Sequence, residues 1–161
     1  MRELALQFAI SQIGQQEQPI GSNSGPMVDE YLKCAGLNPG YAWCQSFVLW
    51  CYWKAAQQLA GANPVVHTAG VLDCWNRTAV QFKITQAEAL KHPELILPGY
   101  QFCLKEGKAS GHTGLVERVD GNVIHTIEGN SNTNGSREGY EVVRHQRLIS
   151  EADLLGFICY E

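Results

Sequence analysis

A chain of 161 residues, 45% hydrophobic and 17% charged, has the size and composition of one globular domain that closes a core without staples. Its net charge of −4 comes with no stripe of Lys and Arg, which argues against a nucleic-acid partner and leaves little attraction to an anionic surface. No apolar run is long enough to span a membrane.

The first ten residues are apolar, but Glu3 and Gln7 interrupt them and no small-x-small cleavage site follows. Leu6, Ala9, Ile10 and Ile13 recur at helical spacing, so the stretch 2–15 reads as a surface helix rather than a signal peptide. Pro26 suits the first turn of a second helix running to about Ala35. A turn at 36–41, with Pro39-Gly40, delivers Cys44 to the head of a third helix. That helix runs to about Ala60 and buries Phe47, Val48, Cys51, Tyr52, Ala55 and Leu59. Short helices are expected over 69–76 and 86–92. After Pro98-Gly99 the hydrophobic period switches to two, giving strands over 100–105, 112–119, 122–128, 140–148 and 155–160. Helices first and an antiparallel sheet after them define an α+β layout in a single domain, 1–161.

The six cysteines contain no Cys-x-x-Cys pair, so neither a zinc site nor a disulfide framework is expected. Cys51, Cys103 and Cys159 read as small apolar side chains within a helix or strands. Unpaired thiols fit synthesis in a reducing compartment. Cys44 differs by position. At a helix N-terminus it feels the unpaired backbone N–H groups, which favour the thiolate. His112 sits between Gly111 and Gly114, open to a partner, whereas His67, His92, His125 and His145 read as structural. Glu128 and Asn130 close the next strand and, two apart, project to one face.

Whether these groups meet depends on the hairpin between the two strands. A two-residue Asp120-Gly121 turn pairs Val119 with Asn122 and puts Glu128 opposite Thr113, with His112 on the other face. A three-residue loop pairs Val119 with Val123, and His112 then lies opposite Asn130 and diagonal to Glu128. Catalysis requires the second register or a bulge.

Trp43-Cys44-x-Ser46-Phe47-Val48, Gly111-His112-Thr113-Gly114-Leu115-Val116 and Ile127-Glu128-Gly129-Asn130 stand in the order Cys, His, Glu/Asn. Ahead of them come Gly14-x-x-Glu17 and Gly25-x-x-Val28-x-x-Tyr31-Leu32. This ordered set resembles the CHAP domains (cysteine, histidine-dependent amidohydrolase/peptidase) of the NlpC/P60-like peptidoglycan hydrolases. One departure is Tyr100, where the family often has Asp after Pro-Gly. The resemblance implies a papain-like fold, with N-terminal helices packed on a five- to six-stranded antiparallel sheet. It implies Cys44 as nucleophile, His112 as base then acid, and Glu128 with Asn130 as its orienters. It implies the peptidoglycan stem peptide as substrate, cut at the muramoyl–alanine bond or within the stem.

One oxyanion donor is expected at the Cys44 backbone N–H; the second has no candidate. Tyr41, Trp43 and Asn23 are expected to line the substrate groove, as is Trp75 unless it is a core aromatic. Some relatives carry an Asp-rich calcium loop near the N-terminus, but the stretch 17–23 holds only Glu17, so no metal or other cofactor is expected. The expected protein is a monomer made in the cytoplasm, reaching the wall or periplasm by a route other than its own signal. A delivery or immunity partner is left open. Two rival readings stand beside this one: a cytoplasmic thiol amidase acting on a small peptide or glutathione-like substrate, and a non-catalytic wall-binding module.

Overall fold

The computed structural model describes residues 1–133 and 139–160. Among the described residues five α-helices are formed: α1 (Arg2–Ser11), α2 (Pro26–Cys34), α3 (Cys44–Gln58), α4 (Val71–Arg77) and α5 (Gln86–Lys91). Six strands follow or interleave: β1 (Lys83–Thr85), β2 (Gln101–Glu106), β3 (Ser110–Asp120), β4 (Val123–Ser131), β5 (Glu141–Leu148) and β6 (Leu154–Ile158). They make one antiparallel sheet in the order β1-β6-β2-β3-β4-β5. This is the expected α+β, papain-like arrangement. Its sixth strand, the three-residue edge β1, was too short to register as an alternating pattern.

The helices form because their sequences leave few alternatives. Pro26 opens α2 directly after Gly25, and α5 begins on a capping box in which Thr85 and Glu88 satisfy each other's backbone donors. Helix α3 is the axle of the molecule. Every residue from Cys44 to Tyr52 is buried, so this stretch has no solvent-facing side and must be wrapped all round. Helix α1 approaches it through Ala5 and Ala9, both fully buried, and α2 covers it with Val28, Tyr31 and Leu32. The sheet divides the apolar interior in two. Leu115, Ile127 and Cys103 join the larger cluster around α3, while Val116, Ile124, Phe102 and Phe157 form a smaller one on the opposite face.

Between β3 and β4 the chain makes a two-residue turn at Gly121-Asn122, pairing Asp120 with Val123 and Val119 with Ile124. Neither turn anticipated from sequence is the one formed. A bulge at Glu117 then shifts the pairing, so that Val116 meets Thr126 and Leu115 meets Ile127. These two pairs are in the register a three-residue loop would have produced, and Gly114, the next residue, lies against Glu128. Arg144 of β5 grips the bulged Glu117 with a forked hydrogen bond, Nε and Nη2 lying 2.9–3.1 Å from its oxygens.

Gly129 is where α3 seats on the sheet. A Cβ there would stand 2.8 Å from Phe47 Cβ and 2.8 Å from the Trp43 ring, atoms that have no free end to swing aside. Gly129→Ala is therefore expected to cost about 1–3 kcal/mol in urea unfolding through overpacking, and a change below about 0.5 kcal/mol would contradict this seating.

Candidate active site

Cys44 is the first residue of α3 and Trp43 its cap, with no side chain capping the helix start. The first helical bond runs from the Phe47 N–H to the Trp43 carbonyl, so the amides of Cys44, Gln45 and Ser46 form the open, positive end of the helix. The Cys44 thiol is nearly buried yet lines a cleft of about 420 Å³ with His112, Gly111, Asn130, His145 and Arg147.

The His112 ring is held between two groups. Its Nε2–H donates to Glu128 Oε2 at 2.7 Å. Cys44 lines the same cleft as the ring and acts on it electrostatically, and with Nε2 engaged by Glu128 the nitrogen left on the ring is Nδ1. Burial alone would push the imidazole down. The influence of Cys44 beside it and the hydrogen bond and charge of Glu128 prevail, and its pKa is raised from 6.5 to about 10.

Glu128 is fully buried on β4, and all its acceptor capacity is used. Arg147 of β5 clamps it bidentately, Nε to Oε1 at 2.6 Å and Nη2 to Oε2 at 2.7 Å. The Thr126 hydroxyl donates to Oε1 at 2.6 Å. Burial opposes ionisation, but Arg147 and His112 outweigh it and hold the carboxyl well below the ordinary carboxylate range. The Arg147 guanidinium also stacks 5.4 Å from the centre of the Phe102 ring. Gly114 makes the arrangement possible, because a Cβ there would lie 3.0 Å from Glu128 Cγ and 3.0 Å from Phe102.

The structure places the other anticipated site residues unevenly. Asn130 lies in the cleft wall beside Cys44 and His112, but its φ of 54° takes it out of the strand alternation expected for it. The β4–β5 pairing breaks between Glu128 and Ser131, and Glu128 rather than Asn130 takes the His112 nitrogen. Asn23 does line a groove. It borders a second hollow of about 360 Å³, with Glu17, Ile20, Gly21 and Tyr140, which shares Ala42 and Asn130 with the first.

Trp43 was expected in that groove and is not there. It is 0% exposed, packs on Tyr31, and donates its indole N–H to Glu17 Oε1 at 2.9 Å. Its large apolar ring serves the seat of α3, and its one polar atom is satisfied inward. Tyr41 is 57% exposed but lies outside both hollows, and Trp75 sits away from them beneath the Lys83 ammonium. His145, expected on a solvated strand face, borders the cleft, its Nε2 2.7 Å from the Asn132 carbonyl.

Sequence reasoning missed Arg147 and Thr126. A signal existed for the first: a glutamate at a buried strand position requires a cation. All six cysteines are free thiols. Among the described residues no group of three His, Cys, Asp or Glu side chains is placed to hold a metal, and no helix is long and apolar enough to cross a membrane.

A thiol at a helix start, an imidazole beside it and a buried carboxylate behind the imidazole, on helices packed against an antiparallel sheet, define a papain-like thiol hydrolase. The model of the CHAP domain matches residues 36–130, well over half of the chain, and the span includes Cys44, His112, Glu128 and Asn130. The chain belongs to the CHAP family of cysteine- and histidine-dependent amidohydrolases and peptidases. No curated protein and no solved structure matches it.

The two shifted groups set opposite pH limits. The stabilisation from Glu128 is complete above its ordinary value of 4.5 and is lost as pH falls toward its lowered folded value. That from His112 is complete below 6.5 and is lost as pH rises through about 10. The stability of wild type over Glu128→Gln is therefore expected to be greatest between pH 4.5 and 6.5 and to shrink toward pH 10, measured by urea unfolding across pH. In the same variant the His112 titration, followed by NMR, should move down toward 6.5. A titration unchanged from wild type would show that the carboxylate does not hold the imidazolium.

Proposed function

We propose that this protein hydrolyses an amide bond of bacterial peptidoglycan, in the stem peptide or at its junction with the sugar, through an acyl-enzyme on Cys44. The observation that carries the reading is the arrangement of the Cys44 thiol and the Glu128 carboxylate on two sides of the His112 ring, open to one cleft. The Cys44 thiol gives its proton to His112, and the resulting thiolate attacks the amide carbonyl. His112 gives its proton to the leaving amine, then takes one from the water that releases the acyl group. Glu128 holds the ring in place and stabilises its charged form. The Cys44 backbone N–H, at the open end of α3, suits the developing oxyanion.

The substrate class rests on the family and on the shape of the site. The two hollows meet at Ala42 and Asn130 and make an extended groove past the thiol, which favours a peptide over a compact small molecule. Strands β5 and β6 lie beyond the matched span, yet β5 supplies Arg147, so residues 1–161 are proposed to work as one catalytic unit. The proposed place of action is the cell wall or periplasm, and the proposed working form is a monomer. Any delivery or immunity partner would act outside this chemistry.

Purified sacculi incubated with wild type should release fragments whose new termini, read by mass spectrometry, identify the bond. Cys44→Ala should stop release while preserving the circular dichroism spectrum, and Cys51→Ser should not stop it. Hydrolysis is expected to persist in EDTA, since the thiol mechanism calls for no Lewis acid. Glu128→Gln should cost more than Asn130→Ala, on the order of 10²–10⁴ in kcat/KM, because only the carboxylate stabilises imidazolium. Intact sacculi alongside turnover of a small γ-glutamyl or dipeptide amide would replace the wall substrate with a cytoplasmic one. Binding to sacculi without turnover of either would indicate a wall-binding module.

A further inference from the structure

Behind the reactive pair lies a polar cluster that the proposed chemistry does not touch. Gln101 of β2, Gln45 of α3 and Thr113 of β3 are all fully buried. The Gln101 amide nitrogen donates to Gln45 Oε1 at 2.7 Å and to Thr113 Oγ1 at 3.0 Å. Its oxygen accepts from the Tyr160 hydroxyl at 2.8 Å and from the Cys74 thiol at 3.9 Å. Thr113 donates onward to the Phe102 carbonyl, so its own geometry is also set.

The positions of these residues in the chain are what give the cluster meaning. Gln45 follows Cys44, and Thr113 follows His112. One amide group thus ties the first turn of α3 to β3 at points one residue from each member of the pair. By alternation Thr113 shares its face with Leu115, in the cluster around α3, while His112 shares the opposite face with Val116. The tie is made on the reverse side of the strand that carries the imidazole.

An apolar side chain of equal length could fill the Gln101 site at little cost in burial. Burying an amide instead demands that each of its groups be satisfied. Hydrogen bonds have direction and a narrow range of length, whereas apolar contacts tolerate slip. A thiol and an imidazole must be held to well within 1 Å for proton transfer. We propose that Gln101 is a positioning residue, clamping the residues that follow Cys44 and His112 so that thiol and ring keep their working separation. The proposal rests on the reading of those two as nucleophile and acid–base partner.

The test uses the full chain and iodoacetamide, with modification of Cys44 followed by mass spectrometry across pH and Cys44→Ala as the blank. Gln101→Met keeps length and loses the amide. Thr113→Val keeps shape and loses the hydroxyl, and Thr113→Ser restores the hydroxyl. Gln101→Met and Thr113→Val should slow Cys44 alkylation at mildly acidic pH by about tenfold. On sacculi both should lower kcat with KM little changed, and Thr113→Ser should follow wild type in each measurement.

A cluster that only stabilises the core would lower the melting temperature of Gln101→Met and Thr113→Val while their alkylation profiles superpose on wild type, and that result overturns the proposal. Should Gln101→Met fail to fold, the contrast between Thr113→Val and Thr113→Ser decides. Release of fragments from sacculi by Cys44→Ala would instead remove the functional reading underneath, an outcome separate from the alkylation profiles.

Discussion

The structure turns on a carboxylate that has no access to water. Glu128 is fully buried, and a charge in that position is tolerated only when it is paired and its oxygens are filled. Its partners come from three adjacent strands: His112 on β3, Thr126 on β4 itself, and Arg147 on β5. The interaction that orients the imidazole is therefore also one that holds these strands in register. Removing either charged partner would leave the other in the interior, at a cost of about 3–5 kcal/mol. The bulge at Glu117 belongs to the same constraint. Without its one-residue shift, Glu128 and His112 would face opposite sides of the sheet, and the carboxylate would lose its imidazole partner.

This pairing bears on how one imidazole would serve the two opposite steps of the proposed mechanism. Beside the thiol and the carboxylate, His112 is raised to about 10, so at neutral pH it carries a proton, which suits delivery to a leaving amine. Such a group is a poor base for the water that follows. Formation of the acyl-enzyme changes the balance, because the sulfur becomes a neutral thioester and stops favouring imidazolium. Burial, which disfavours the charged ring, then weighs more against Glu128 alone. The proposed mechanism thus lowers the basicity barrier at the step that needs a base, with no movement of the protein.

Much of this was legible in the residues, and the pattern of what was not has a physical cause. Helices α1 to α3 and five of the six strands announce themselves by period, Pro and Gly placement, or an apolar face, which are local properties, while α4 and α5 lie in the least legible stretch, 65–96. Cys44 and His112 are legible for the same reason: their positions at a helix head and between glycines are written in neighbouring residues. Properties set by distant residues were hidden. Trp43 looks like a groove aromatic beside Cys44, but Glu17 and Tyr31 draw it inward. The hairpin could be narrowed to a required register without showing that a two-residue turn plus a bulge supplies it. Arg147 follows a strand pattern that reads as solvated, and only the pairing of β4 with β5 brings it to Glu128.

The span shared with the CHAP family ends at Asn130, immediately past the groups assigned to chemistry and short of those that support them. The matched residues alone would contain Cys44, His112 and Glu128 but lack Arg147, and Glu128 would sit in the interior with the Thr126 hydroxyl and one titratable charged partner, His112. Such a carboxylate would tend to take up a proton rather than ionise, and a protonated carboxyl cannot hold an imidazolium. Strand β5 therefore belongs to the site as fully as β3 and β4 do, although it places no atom on the thiol. Tyr160, two residues past β6, makes the same point on the other face through its bond to Gln101. What the chain adds after residue 130 is the ionisation state of the carboxylate on one side of the sheet and the anchoring of the amide cluster on the other.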